Sequence, residues 1–117
     1  MDIEKLREYC LKKKGVTEGF PFGEDTLVFK VMGKMFCLAG LTPQLSINLK
    51  CDPEKALELR EEYEFVSPGY HMNKKHWNTI DFDGVIKPGL IYEWIDDSYD
   101  LVVESLTKKL KEELKDL

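Results

Sequence analysis

Polar and apolar positions divide the chain into short elements. In LSINLK, residues 45–50, Leu45, Ile47 and Leu49 alternate with Ser46, Asn48 and Lys50, the period of a strand with one buried face. TLVFKVM (26–32) and KMFCLAGL (34–41) are rich in β-formers and flank Gly33-Lys34, which predicts a hairpin. Residues 65–71 are extended, interrupted by Ser67-Pro68-Gly69, and residues 76–82 form a fifth strand. Helical spacing marks residues 2–14, with Ile3, Leu6 and Tyr9 or Cys10 on one face, Asp2 as N-cap and Gly15 as terminator. It returns at 52–63, where Asp52 caps and Pro53 takes the first helical position. From Lys87 onward, Ile91, Trp94/Ile95, Tyr99, Val102, Leu106, Leu110 and Leu114 repeat at helical intervals, with Asp96-Asp97-Ser98 as the point of a break. Residues 15–26, with glycines and a proline between aromatics, predict an ordered loop or an extended edge.

The order is α-β(3)-α-β(2)-α(α). Hairpin-length connections imply an antiparallel sheet. The fold class is therefore α+β: two layers, with helices on one sheet face and the other face at least partly wet. The 117 residues make a single domain, with no repeat and no linker.

Composition narrows the classes. Hydrophobic residues are 43% and charged residues 33%, as in a globular chain. The longest apolar run, MFCLAGL, is far short of the ~18 residues of a membrane span. The N-terminus has no apolar signal core, and the three cysteines lack C-x-x-C spacing. A cytoplasmic protein with reduced thiols is expected, as a monomer, with a dimer as the alternative. The net charge is −5, unevenly spread. Residues 12–50 carry six lysines against three carboxylates, and 51–64 carry six carboxylates against two cations. Residues 65–80 are +2, from Lys74 and Lys75, and 81–100 are acidic. Strong nucleic-acid binders are usually basic throughout; here a local patch is all the sequence offers.

Several motifs, in order and spacing, resemble the MmcQ/YjbR family: FPFGEDTLVFKVMGKMFCLAGL, LSINLKCDPEKALELREEY, SPGYHMNKKHWNTI and DDSYDLV, spanning about residues 16–106. The resemblance implies a two-layer fold of the secretion-chaperone-like type, α-β(3)-α-β(2)-α, the same order as the periodicity gives. It also implies DNA binding through a double-wing motif.

The richest local chemistry is YHMNKKHWN, residues 70–78. Lys74 and Lys75 offer charge to phosphates, His71, Asn73 and His76 offer hydrogen bonds, and Trp77 or Tyr70 offers a stacking surface. Asn73-Lys74 fits a hairpin tip, hence a wing. Against this stands the plainer reading of a solvated turn followed by a strand with a packed Trp. Strand parity puts His76, Asn78, Ile80 and Phe82 on one face and Trp77, Thr79 and Asp81 on the other. With Ile80 and Phe82 toward the helices, Trp77 falls on the open face. Lys30, Lys34 and Lys50 join the patch if neighbouring strands bring them there. Each alone reads as an ordinary exposed lysine.

Other constellations are weaker. His71 and His76 lack a third ligand for zinc, and no other cofactor motif is present. Cys51 precedes a helix N-terminus, but a nucleophile needs a base and an oxyanion site, so a semi-buried strand-end thiol is the plainer reading. Phe20 and Phe22 of FPFGED read as plugs for the end of the core. No phosphate loop, G-x-S-x-G or zincin motif occurs. The expected function is a small non-catalytic binding module for DNA. The alternative is an adaptor that docks another protein or peptide.

Overall fold

The computed structural model describes residues 1–70, 72–82 and 86–117. Its elements are α1 (Ile3–Leu11), β1 (Val16–Gly19), β2 (Thr26–Val31), β3 (Lys34–Gly40), β4 (Ser46–Lys50), α2 (Pro53–Glu62), β5 (Val66–Pro68), β6 (Trp77–Asp81), α3 (Pro88–Glu104) and α4 (Lys108–Lys115). The strands form one antiparallel sheet in the order β1-β2-β3-β4-β6-β5. The α+β class and the antiparallel sheet stand as the sequence predicts.

Three details differ from expectation. The segment read as an ordered loop or extended edge is the latter, and it adds an edge strand, β1, that the expected order α-β(3)-α-β(2)-α(α) lacked. Thr17 and Glu18 in its centre are both exposed, so the strand shows no apolar alternation. The β2–β3 turn lies at Met32-Gly33, both at positive φ (49° and 85°), with Val31 opposite Lys34. That is the two-residue hairpin whose twist suits flanking strands, and Gly33 supplies one of its left-handed positions. Finally, the C-terminal helix does not break at Asp96–Ser98. α3 runs through to Glu104, and the break falls at residues 105–107, where Thr107 Oγ1 accepts from Leu110 N at 3.2 Å.

The reason lies in what those three polar residues do. Asp96 accepts from Tyr9 Oη (2.7 Å) and Lys13 Nζ (2.5 Å), and Asp97 receives Lys55 Nζ at 3.4 Å. Ser98 is fully buried and bridges α3 to the sheet. They fasten the helix to its neighbours instead of capping it. The Lys13 ammonium also lies over the rings of Tyr9 and Tyr99, at 5.1 and 5.0 Å. Burial, with help from Asp96, pushes the Tyr9 phenol up to about 12.

Parity and register sort the strand residues onto two faces. Leu27, Phe29, Val31, Cys37, Ala39, Ile47, Leu49, Val66 and Ile80 enter the core with Leu6, Ile91, Trp94, Ile95 and Val102 of the helices. A register shift between Phe29 and Lys30 lets Phe36 join them, edge-on to Tyr99 at 5.4 Å. No helix of the described residues is long and apolar enough to cross a membrane.

Candidate nucleic-acid and partner interface

The sheet face turned away from the helices carries Thr26, Val28, Lys30, Leu38, Ser46, Asn48, Lys50, Ser67, Trp77, Thr79 and Asp81, as register requires. Trp77 is on this face, opposite Lys50 and half-buried, as the parity argument predicts. Its backbone passes so close to Gly69 that a Cβ there would lie 2.8 Å from Trp77 Cβ. Glycine at 69 is thus a condition of the strand entry.

Register also decides where the lysines lie. Val31, Lys34, Lys50, Trp77 and Pro68 mark one end of the sheet; Thr26, Gly40, Ser46, Asp81 and Val66 mark the other. Lys30 and Lys34 flank the β2–β3 turn, Lys50 ends β4, and Lys74 and Lys75 sit in the connection that enters β6. All five therefore belong to the same end, but Lys34, paired with the core residue Val31 and reaching the end of α3, lies on the helix side and does not join the uncovered face where it was expected. None of them forms an ion pair among the described residues. They are not equally free. Lys34 Nζ donates to the Ser105 carbonyl at 3.3 Å, and Lys74 Nζ to the Gly69 carbonyl at 3.2 Å. Lys75 is exposed.

Residues 73–77, which lead into β6, are built like a turn of helix. Asn73 Oδ1 accepts from Lys75 N (2.9 Å), and the Asn73 carbonyl accepts from His76 N (3.2 Å) and Trp77 N (3.0 Å). Asn73 thus shapes the tip. His76 is a half-buried turn residue, not a strand member, and its carbonyl accepts from Cys51 N at 2.7 Å. His71, the other histidine of the expected patch, lies outside the described residues. So, in part, does the metal reading that needed it; no cluster of three or more metal ligands occurs among the described residues.

Two features of this site escaped sequence reasoning. The first is Arg60 of α2. Its Nε donates to Asn78 Oδ1 (2.7 Å), and Nη2 reaches the carbonyls of Trp77 (3.2 Å) and Lys74. This one half-buried side chain ties the Lys74 turn and the start of β6 to α2. The second is α4, KKLKEELK. Lys14 Nζ donates to the Lys115 carbonyl at 2.8 Å, and Leu114 crowds the space beside Gly15 and Met32. That contact brings four further lysines to the same end of the sheet.

Phe20 and Phe22 do not plug the core. They are 52% and 64% exposed, because the β1–β2 loop turns onto the uncovered side of the sheet. Phe22 there faces Tyr70 and Met72 of the 69–77 connection across a groove of about 1120 Å3. Its floor is Met35, Leu38, Asn48 and Thr79, and the formal charges among its described lining residues are Asp25 and Asp81. Both carboxylates belong to the end of the sheet opposite the lysines.

Cys51 is buried, and burial raises its thiol pKa, so it is not an activated nucleophile. Cys10 and Cys37 are buried free thiols as well.

The YjbR family model matches residues 11–101. The chain is similar to two uncharacterized Escherichia coli proteins. YbdF of strain O157:H7 is 41% identical, and YjbR of strain K12 is 31% identical; each match covers 93% of both chains. It also superposes on the crystal structure of a Deinococcus radiodurans protein with a DUF419 domain. That match has a TM-score of 0.89 and 39% identity, covering 97% of this chain and 87% of that one. A Pseudomonas syringae protein matches with a TM-score of 0.73 and 28% identity, over 86% of this chain and 98% of that one. With the fold, the motifs and these matches in agreement, the chain belongs to the YjbR family.

Proposed function

We propose that the chain is a non-catalytic, cytoplasmic binding module that holds nucleic acid at the lysine end of its uncovered sheet face. The observation that carries this reading is the gathering of Lys30, Lys50, Lys74 and Lys75 at one sheet end beside Trp77, with Lys34 at the same end on the helix side and none of the five ion-paired among the described residues. Phosphate recognition needs several cations acting together, and an indole adds a stacking surface for an unpaired base. The lysines of α4 enlarge the same end. Asp25 and Asp81 would repel phosphate from the far end, which confines a polyanion to the lysine side.

Titration of labelled duplex and single-stranded DNA at low salt tests this. The expected dissociation constant is tighter than ~100 μM, and Lys74→Glu/Lys75→Glu weakens it at least ~10-fold while flattening the log–log salt slope by about 2. Binding indifferent to that double charge reversal contradicts the proposal.

The groove favours a second reading, docking of a partner protein. Its volume of about 1120 Å3 exceeds the ~300–1,000 Å3 of small-molecule sites, and its walls carry the exposed Phe22 and Tyr70 beside Met72.

A further inference from the structure

Building on the docking reading, we infer that the groove takes an extended protein segment with a cationic residue at one end and apolar side chains behind it. Three observations converge on this chemistry. First, β4 and β6, which floor the groove, are five residues long. At ~3.3 Å per residue they span about 16 Å, the length of an extended segment of about five residues. Second, Met35, Leu38, Phe22 and Met72 make the middle apolar, while Asp25 and Asp81 make one end anionic. Neither carboxylate is ion-paired among the described residues, so a lysine, arginine or terminal ammonium arriving there meets two unneutralised acids. The other end of the groove, at Met72 and Asn73, borders the lysine end of the sheet, where an acidic residue that follows the apolar ones meets Lys74 and Lys75.

The third observation concerns the floor. Thr79 Oγ1 donates to Asn48 Oδ1 at 2.5 Å and accepts from Tyr70 N at 2.9 Å. The oxygen of the Asn48 amide is thereby occupied, and its Nδ2 hydrogens make no hydrogen bond among the described residues. Asn48 lines the groove at the middle of β4. An amide donor held in orientation by its own oxygen suits a backbone carbonyl of the bound segment. A single-stranded nucleic acid is the less favoured occupant here, because its phosphates would face Asp25 and Asp81.

The experiment is fluorescence anisotropy with three labelled heptapeptides that share a Val-Phe-Val centre. One carries lysine at one end and glutamate at the other, one lysine at both ends, and one glutamate at both. The mixed peptide is expected to bind tightest and the glutamate-only peptide at least ~10-fold more weakly. In the Asp25→Lys/Asp81→Lys variant, whose surface changes leave the core untouched, the preference inverts toward the glutamate-only peptide. Equal binding of the three peptides, or an unchanged preference in the variant, overturns the charge assignment while leaving docking in place. If none of the peptides binds below ~1 mM while duplex DNA does, the docking reading itself fails.

Discussion

Ser98→Val is expected to cost about 3 kcal/mol of folding stability, a large part of the ~5–15 kcal/mol that holds a domain of this size. Ser98 has no accessible surface. Its hydroxyl donates to the Phe36 carbonyl at 2.6 Å and accepts from Lys50 N at 2.8 Å. These two backbone groups lie beside the β3 register shift and at the end of β4, where the ladder offers them no partner. Valine fills the volume but leaves both buried groups without a hydrogen bond, at ~1–3 kcal/mol each before any relaxation. Urea unfolding checks this: the midpoint falls and the m-value stays constant, since the exposed surface is unchanged. Ser105→Ala is the control. Ser105 sits at the solvent-facing end of α3, and its loss is worth under ~0.5 kcal/mol. Equal midpoints for the two variants would remove Ser98 from the account.

Arg60→Met is expected to cost about 3 kcal/mol and also to loosen the 69–77 connection. The guanidinium serves three acceptors, and one of them, Asn78 Oδ1, belongs to a side chain only 2% exposed. Asn78 spends its Nδ2 on the Ala56 carbonyl at 3.3 Å, and among the described residues Arg60 is the only donor to its oxygen. Lysine is a poor substitute, since one ammonium on a flexible stem does not reproduce the planar fork. Removing both partners is less damaging than removing one. Arg60→Met/Asn78→Leu should therefore recover part of the loss, which a simple packing role for Arg60 would not predict. The same single variant weakens DNA binding, because Lys74 and Lys75 lose the frame that presents them. Hydrogen exchange at residues 73–77 reports that loosening directly. Full protection in Arg60→Met would contradict the anchoring role.

Much of the fold was legible because its signals are local. Asp52 caps α2 by accepting from Glu54 N and Lys55 N, with Pro53 behind it, as the Asp-Pro pair announces. The alternation of residues 45–50 names the buried face of β4, and parity alone puts Trp77 on the uncovered side. What the sequence conceals depends on residues far apart in the chain. Asp96 and Asp97 look like caps until Lys13 and Lys55 arrive to claim them. β1 shows no pattern because its centre is wet on both sides. Arg60 and Asn78 are eighteen positions apart and meet only when α2 lies across β6. For the site, the five lysines could be proposed singly, but their common end follows from strand register, which no single segment encodes. The groove was invisible for the same reason. Its walls come from two loops at opposite ends of the sheet, and Phe22 reads as a core residue until the path of the β1–β2 loop is known.

The central claim is that the uncovered sheet face, and in particular its lysine end, is where nucleic acid binds. Amide chemical-shift mapping during titration with a short DNA duplex tests it most directly. Shifts are expected to concentrate in Lys30, Lys50, Lys75 and Trp77, including the Trp77 indole, with Asp25, Asp81 and the exposed face of α2 unmoved. Perturbations centred on α2, or spread evenly over both layers, would contradict it.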